Sequence, residues 1–332
     1  MRVLLTGASG TVGHHVIYKL LEKKYTVTIL ELDNKKNRKV LKPYENLTNI
    51  IWGSITDSSL INNIVLEQDI VIHLAGLIPP YADHHEELTR TINYGGTKNI
   101  VDAIKENNPK CFLMFASSIS VYGDRVCNYN ITINDELNIS EGDYYALIKK
   151  QTEEMIIESN INYTIFRLSA IMDIPKTDPL MFHMPLETKL EITTAKDTAS
   201  AFVNGISYIK ELNHSIYNLG GGEQCRTTYR EFLKDCFNIY GLNYKYIDEK
   251  LFADKNFHCG YYKDGYILDD IIHFRKDTLS SYYMYLKSNV SFVKKLVTKI
   301  CSYIIIKSLN SKSETYIAMK SNDQKLLKRF FK

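Results

Sequence analysis

The sequence has little of what membrane-spanning, disulfide-rich and metal-binding proteins depend on. No apolar run reaches the roughly 18 residues that a transmembrane helix needs, and glycine soon interrupts the apolar start Met1–Leu5, so we expect neither a membrane span nor a signal peptide. The six cysteines form no Cys-x-x-Cys pair and no regular ladder of spacings, which argues against structural zinc and a disulfide framework. His183, His258 and Cys259 also lack ligand spacing, so no metal site is expected. Together these absences predict a protein of the reducing cytoplasm.

Charge is distributed unevenly along the 332-residue chain. The formal net charge is +3, but residues 281–332 carry eleven Lys or Arg against two acidic residues, so the preceding body is acidic. A nucleic-acid enzyme more often spreads basic charge over its main face, and we therefore expect no nucleic-acid partner. The basic segment predicts a solvated helix. The alternative is contact with an acidic partner or with an anionic membrane surface.

Short apolar runs alternate with amphipathic segments through the first two-thirds of the chain. Clusters of Val, Ile, Leu or Phe predict strands buried on both faces at Arg2–Thr6, Thr26–Glu31, Thr48–Trp52, Ile70–Leu74, Cys111–Ala116, Tyr163–Leu168 and Ser215–Leu219. Helices are predicted over Gly13–Lys24, Ser58–Leu66, Glu86–Glu106, Tyr144–Ser159, Lys196–Ile209 and 290–308. The alternation predicts an α/β fold with a Rossmann-like, doubly wound parallel sheet. We expect a sheet domain over 1–170, a smaller C-terminal lobe over 171–287 with segments that return to the sheet, and a basic helical tail over 288–332.

A glycine-rich segment, Thr6–Gly13, joins the first predicted strand to the first predicted helix. Glycines there allow a tight turn and a close approach of backbone to a pyrophosphate, and the helix N-terminus offers N–H groups to the phosphates. Glu31, at the end of the second strand, can accept hydrogen bonds from the adenosine ribose and repels a 2′-phosphate, which favours NAD. Asp33 competes for this role, and the basic residues that follow keep NADP as the alternative: Lys35, Lys36 and Arg38.

Three polar residues form a candidate catalytic group. Tyr145 and Lys149 lie four positions apart in a predicted helix, so both project from one face. A phenol with its usual pKa of ~10 is a poor base, and a neighbouring ammonium together with a positive nicotinamide ring favours the phenolate. Ser118 follows the fifth predicted strand, at the sheet edge where such folds bind ligands. The group predicts proton transfer at a substrate oxygen.

Five motifs occur in order along the chain: TGxxGxxG in Thr6–Gly13, HLAG in His73–Gly76, NxxGT in Asn93–Thr97, SSxSVYGD in Ser117–Asp124 and YxxxK in Tyr145–Lys149. In these motifs the chain resembles the NAD-dependent epimerase/dehydratase family, the extended short-chain dehydrogenases that include UDP-galactose 4-epimerase. The similarity runs from Met1 to about Leu219. It implies hydride transfer between NAD and a secondary alcohol or carbonyl, with a nucleotide sugar as substrate. It also implies a homodimer formed through the helices Glu86–Glu106 and Tyr144–Ser159.

The resemblance assigns roles to matched residues. Ser118, Tyr145 and Lys149 would be catalytic, and Tyr145 and Lys149 would also contact the cofactor. The other predicted cofactor contacts are Gly7, Gly10, Thr11, Val12, Gly13, Glu31, Ser54, Ile55, Leu74, Ala75, Gly76 and Asn93.

Several departures from the family pattern bear on the substrate. Ser54 replaces an aspartate that meets the adenine, and Ile78 stands where the galactose epimerase has a lysine. The asparagine that grips the nucleotide diphosphate is missing after Arg167. Ser118 is not followed by the acidic pair of the dehydratases, so 4,6-dehydration is not expected. The alternatives are therefore a reductase or dehydrogenase of a non-sugar carbonyl and, in another class, a cofactor-binding structural subunit without turnover.

Overall fold

Strands and helices alternate through the first half of the chain. The structure is a computed structural model that describes residues 1–175 and 179–332. The strands are β1 Arg2–Thr6, β2 Thr26–Glu31, β3 Asn49–Trp52, β4 Ile70–His73, β5 Phe112–Ser118, β6 Asn130–Ile131, β7 Asn162–Leu168, β8 Ala170–Met172, β9 Lys189–Thr194, β10 Ser215–Leu219, β11 Arg226–Thr228 and β12 Tyr261–Tyr262. The helices are α1 Gly13–Glu22, α2 Lys35–Leu41, α3 Ser58–Val65, α4 Tyr81–His84, α5 Glu86–Thr89, α6 Gly96–Asn107, α7 Tyr144–Glu158, α8 Ala195–Gly205, α9 Ile209–Leu212, α10 Tyr229–Tyr240, α11 Tyr266–Ile272, α12 Leu279–Ser288, α13 Phe292–Lys312, α14 Glu314–Ser321 and α15 Gln324–Phe330.

Seven parallel strands form the central sheet in the order β10-β7-β5-β4-β1-β2-β3. The order reverses direction at β1, which confirms the predicted doubly wound Rossmann-like sheet. Because all strands run the same way, their carboxyl ends meet at one edge. Thr6, His73 and Ser118 all lie at that edge, at the ends of β1, β4 and β5.

Successive side chains of the central strands enter two different cores, as strand geometry requires. Val3 and Leu5 pack with α1 and α8 on one face, whereas Leu4 packs with α3 and α6 on the other. Both faces of the sheet are thus covered by helices. This burial explains why the strands read as continuous apolar runs in the sequence.

A second lobe follows β7 and is built on a small sheet in which β9 pairs with β8 and β11. Its own core contains Phe182, Tyr229, Phe232 and Leu286. The predicted helix at 290–308 is α13, which packs against α10. In the part of the chain that the structure describes, no helix combines the length and the apolar character needed to cross a bilayer.

The predicted continuous helix over Glu86–Glu106 is interrupted. A π-helix at Arg90–Gly95 separates α5 from α6. Asn93 lies within it, and its side-chain amide exchanges two hydrogen bonds with the backbone of Leu77. The wider π turn therefore accommodates a residue that is committed to a neighbouring loop, a common reason for such turns.

Candidate active site

The glycine loop after β1 packs directly against the end of β4. Gly7 has a φ of +73°, and a Cβ atom there would lie 2.7 Å from the backbone nitrogen of Ala75. A Cβ at Gly13 would lie 2.2 Å from the carbonyl oxygen of Gly7, so helix α1 approaches the loop closely. Gly10 and Thr11 are exposed in front of α1, whose N-cap residue is Val12. The backbone of this loop is therefore open to an anion at a helix N-terminus, which fits a dinucleotide pyrophosphate.

Glu31 is buried at the end of β2 and is tied to the same loop. Its carboxylate accepts hydrogen bonds from the backbone nitrogen of Ser9, at 2.9 Å, and from the side chain of Asn37, at 3.2 Å. The competing acid, Asp33, is exposed and forms an ion pair with Arg38, whose guanidinium lies 4.7 Å from the Trp52 ring centroid. Sequence reasoning missed Asn37, which carries no motif signal.

Ser54 and Ile55 follow β3 and shape the turn there. The Ser54 hydroxyl is within 2.7 Å of the Thr56 hydroxyl and accepts a hydrogen bond from the Thr56 backbone. Ile55 is buried against Gly96. A Cβ atom added at Gly96 would lie 2.5 Å from the Ile55 side chain. The predicted contacts of these residues with the cofactor stay predictions.

A chain of buried hydrogen bonds connects β1, β4 and the π-helix behind the loop Leu74–Gly76. Thr97 donates to the carbonyl of Asn93, so its oxygen accepts from His73 Nε2 at 2.9 Å. The His73 proton is then on Nε2, and Nδ1 accepts from the Thr6 hydroxyl at 2.6 Å. Burial lowers the pKa of His73 to about 3. The histidine of the HLAG motif is therefore a neutral structural connector.

Ser118 and Tyr145 come together at the carboxyl edge of the sheet, where their side chains form a hydrogen bond. Helix α7 begins at this point because Asp143 caps it, accepting from the backbone of Ala146 at 2.8 Å. Asp83 accepts from the backbone nitrogen of Tyr145 at 3.1 Å. Burial raises the pKa of the Tyr145 phenol and the nearby Asp143 carboxylate raises it further, whereas the hydrogen bond with Ser118 acts in the opposite direction.

Lys149 lies one turn further along α7, under the phenol. Its ammonium donates to the carbonyl of Ala116 at 2.6 Å and lies 5.7 Å from the centroid of the Tyr145 ring. Burial lowers the pKa of Lys149 to about 8, and the carboxylate of Glu153 counteracts this shift. The direct bond of the ammonium is therefore to the backbone of β5, and the ammonium lies near the Tyr145 ring.

Glu153 lies one turn after Lys149 on the same face of α7, and its hydrogen bonds connect this helix to the sheet. It accepts hydrogen bonds from Ser117 and from Arg167, with a shortest Arg167 distance of 2.7 Å. Arg167 also donates to the hydroxyl of Tyr122 at 2.8 Å. Sequence reasoning assigned Glu153 no role, although its i, i+4 spacing from Lys149 was a usable signal.

A cavity of about 840 Å³ opens next to Ser118 and Tyr145. Its lining is largely apolar and includes the methionines Met172, Met181 and Met184 and the aromatic residues Tyr229, Phe232, Phe237, Tyr240, Phe257 and Phe330. The two segments singled out in the sequence, 181–185 and 257–262, divide between cavity wall and core. Met181 and His258 line the cavity, whereas Phe182 and Tyr262 are buried in the protein interior.

The basic tail contributes part of the cavity wall, which the sequence did not predict. Arg329 lines the cavity and lies 3.6 Å from the Asp83 carboxylate, which in turn holds the backbone of Tyr145. Glu314, also from the tail, forms a 3.0 Å contact with His183, and both residues line the cavity. The tail and the helix that carries the phenol are thus joined through one carboxylate.

Within residues 1–175 and 179–332, one group has the composition of a metal site. The ligand atoms of His14, His15 and Asp173 all lie within 4.8 Å of one another. Sequence spacing could not reveal this group, because the turn after β8 brings Asp173 to the start of α1. The expectation that the protein binds no metal stays a prediction.

Parts of this chain match known proteins. The 3-beta hydroxysteroid dehydrogenase/isomerase family matches residues 4–168. A UDP-glucose 4-epimerase of Klebsiella pneumoniae is 32% identical over 136 residues, which cover 38% of this chain and 94% of that relative. The chain belongs to the extended short-chain dehydrogenase/reductase family. This membership confirms the resemblance drawn from the five motifs.

One further relative in sequence and one solved structure show how far the similarity of this family member to known proteins extends. A UDP-N-acetyl-alpha-D-glucosaminuronate decarboxylase of Bacillus cytotoxicus is 32% identical over 124 residues, or 37% of this chain and 38% of that protein. The chain thus spans less than half the length of this curated relative. The solved structure of a dTDP-glucose 4,6-dehydratase from Bacillus anthracis in complex with NAD gives a TM-score of 0.73 at 16% identity, over 87% of this chain and 96% of that one. This likeness shows a shared fold.

Proposed function

We propose that this protein is an enzyme that catalyses NAD-dependent hydride transfer at a secondary alcohol or carbonyl carbon of a nucleotide sugar, as an epimerase or a related sugar oxidoreductase. The observation that carries the proposal is the hydrogen-bonded pair Ser118 and Tyr145 in the wall of a large cavity, with Lys149 one helical turn further along α7. Nucleotide-sugar enzymes among the relatives support the substrate class.

The chain's own residues would move one proton in this reaction. Tyr145 takes the hydroxyl proton of the substrate while Ser118 donates a hydrogen bond to the same oxygen, and both act in reverse when a carbonyl is reduced. NAD, when bound, accepts or returns the hydride, and its positive ring favours the phenolate. Burial raises the pKa of the phenol and so favours its protonated form in the free protein, which suits the reductive direction.

The predicted choice of NAD over NADP is supported by Glu31 and by the ion pair next to it. The Glu31 carboxylate accepts a hydrogen bond from Ser9 in the glycine loop, and the 2′-phosphate of an NADP bound at this loop would meet its negative charge. Arg38, the residue best suited to bind such a phosphate, is engaged by Asp33. Lys149 would bond the nicotinamide ribose, and Asn93 would hold the adjoining loop through Leu77.

A second substrate class is favoured by one observation, the apolar lining of the cavity. Methionine and aromatic side chains dominate the wall beyond Tyr145, and the missing asparagine after Arg167 removes a diphosphate contact. A secondary alcohol on an apolar, non-sugar molecule would bury its surface there. In that case the protein would be an NAD(P)H-dependent dehydrogenase or reductase.

The substitution Tyr145→Phe tests the proposed reaction. It removes the phenolic oxygen and should lower kcat/KM by about 10²-fold or more, the usual contribution of a general acid–base group. Tyr144→Phe, one residue out of register, is the matched control and should stay within about twofold of wild type. Retention of activity within about tenfold in Tyr145→Phe would contradict the proton-transfer role.

Product analysis separates the two substrate classes and the non-catalytic alternative. The wild-type protein would be incubated with a panel of UDP- and dTDP-sugars and a panel of apolar secondary alcohols. Epimerisation gives a new sugar without net change in NADH, whereas oxidation of an alcohol accumulates NADH. NAD binding without turnover on either panel would support a structural subunit and contradict the proposed enzyme.

We also infer a cytoplasmic location and a homodimer. All six cysteines are free, which suits a reducing compartment. The helices implied in dimer formation leave apolar side chains in solvent, namely Leu88, Leu147 and Ile157. Such side chains support an interface between copies of this chain.

A further inference from the structure

Helix α13 presents a long apolar face to solvent. Seven large apolar residues on this helix are exposed: Phe292, Val293, Leu296, Val297, Ile300, Tyr303 and Ile304. The most exposed are Phe292 at 80%, Ile300 at 76% and Ile304 at 70%. At about 100° per residue the seven fall within an arc of about 140°, so they form one continuous stripe. Monomeric soluble proteins rarely expose an apolar stripe of this kind without a partner.

The other side of α13 is occupied. Ser302, Ile306 and Leu309 are buried in the second lobe, and the Ser302 hydroxyl accepts a hydrogen bond from the backbone of Asn243 at 2.7 Å. The helix is therefore fixed to the lobe by one face while the opposite face is free. Tyr246 from the lobe adds its ring to the stripe, 5.3 Å from the ring of Tyr303.

The charged residues of α13 are all positive. Helix α13 contains five lysines and no acidic residue. Lys299 borders the apolar arc and Lys307 lies within it, as helical spacing requires. The Lys294 ammonium instead lies 5.7 Å from the ring centroid of Tyr240 in the lobe. A protein partner would need a matching acidic surface of the same length, whereas a phospholipid bilayer with anionic headgroups supplies apolar depth and negative charge together.

We propose that the exposed face of α13 is an interfacial membrane-binding surface that lies in the headgroup region of an anionic phospholipid bilayer. The apolar stripe enters the boundary with the acyl chains, and Lys299 and Lys307 contact the anionic headgroups. This proposal does not depend on the reaction that the enzyme catalyses. It also assigns a partner to the basic tail, for which the sequence left a membrane and an acidic protein open.

One consequence concerns the cavity next to Tyr145. Thr298 and Ile305, on the flank of α13 away from the stripe, line that cavity. A protein bound through α13 therefore holds its cavity close to the membrane surface. This position would suit a substrate that partitions into lipid.

Flotation of the full chain with vesicles tests the proposal. The protein should float with phosphatidylcholine vesicles that contain phosphatidylserine, and much less with pure phosphatidylcholine. Ile300→Glu/Ile304→Glu should reduce the partition coefficient at least about tenfold, because two charges would enter the interface. The matched control is Leu47→Glu/Leu66→Glu, which changes two exposed leucines of the sheet domain and should float like wild type.

The lysines are tested by the same measurement. Lys299→Glu/Lys307→Glu should also weaken partitioning at least about tenfold, and added salt should reduce the binding of wild type. Lys105→Glu/Lys110→Glu carries the same change of net charge on exposed residues elsewhere and should bind as wild type. Tyr145→Phe should float unchanged, so failure of the proposed reaction and failure of this proposal are distinguishable.

Three results would overturn the proposal. The first is a wild-type protein that does not bind vesicles containing phosphatidylserine. The second is a pair of α13 double variants that float like wild type and have an unchanged unfolding temperature. The third is self-association of wild type, detected by sedimentation, that Ile300→Glu/Ile304→Glu abolishes while vesicle binding is absent. That result would assign the stripe to a second copy of the chain.

Discussion

His73 connects three elements through both of its ring nitrogens and has no freedom to take up a proton. Its neighbours Thr6 and Thr97 occupy Nδ1 and Nε2, and burial lowers its pKa to about 3 from an ordinary value of 6.5. Between these two values the unfolded chain binds a proton that the folded chain does not. The contribution of His73 to stability is therefore fully present above about 6.5 and is lost as the pH falls toward 3.

This linkage predicts the pH dependence of stability. As the pH falls from 6.5 toward 3, the free energy of unfolding should fall by up to about 1.4 kcal/mol per pH unit because of His73. His73→Gln replaces the imidazole with a neutral amide and should be less stable at neutral pH but show a flatter pH profile. Denaturant titrations across the window measure both quantities.

His214 supplies the control for that measurement, because it is exposed. His214→Gln should keep the wild-type slope. An unchanged slope in His73→Gln would contradict the linkage.

Helix α7 carries the phenol, the ammonium and Glu153 on one line, and much of this arrangement could be predicted from sequence. Spacing alone placed Tyr145 and Lys149 on one face, and the helix bounds Tyr144–Glu158 differ from the predicted ones by a single residue. The role of Glu153 could not be predicted with the same ease, because its partners Ser117 and Arg167 lie on two strands that only the fold brings beside it.

The interrupted helix α5 to α6 shows a different limit of sequence reasoning. Its periodicity fits one continuous helix, since local propensity does not record that Asn93 must reach Leu77. The hydrogen bonds between Asn93 and Leu77 accompany the wider, π-helical turn at Arg90–Gly95. Patterns of apolar residues predict that a helix exists much better than they predict its internal irregularities.

The outer side of α7 gives a prediction about assembly. Leu147 lies on a different side of α7 from Tyr145 and Lys149 and is exposed. If α7 forms the dimer interface, Leu147→Glu should place a charge in it and convert the protein to monomers, since buried unpaired charges are strongly unfavourable. Sedimentation velocity measures the change.

Ile174→Glu, at an exposed apolar residue outside the two helices, is the matched variant for assembly and should leave the dimer intact. A wild-type protein that is monomeric, or a Leu147→Glu protein that remains dimeric, would contradict the inferred interface.

At the scale of the whole molecule, the sheet and the glycine loop were predictable because their signals are local. All seven predicted strands of the sheet begin and end within two residues of the observed bounds. The cavity wall was not predictable in this way. Arg329 and Asp83 are far apart in the sequence, and no sequence pattern in either segment predicts their ion pair.

The tail should therefore matter for catalysis. Arg329→Ala removes the partner of Asp83, which fixes the start of α7, and should lower kcat/KM by about tenfold, equivalent to about 1.4 kcal/mol. Lys328→Ala is the matched control, because its contact with Glu141 is long and both side chains are exposed. Equal activities of the two variants would contradict a role for Arg329 at the site.

The participation of Arg329 has a consequence for biosynthesis. A ribosome has released all seven strands of the central sheet, the last of which is Ser215–Leu219, well before it reaches Arg329. The nascent chain can thus form its nucleotide-binding half early, whereas the chamber beside the phenol is finished only after most of the protein has been translated.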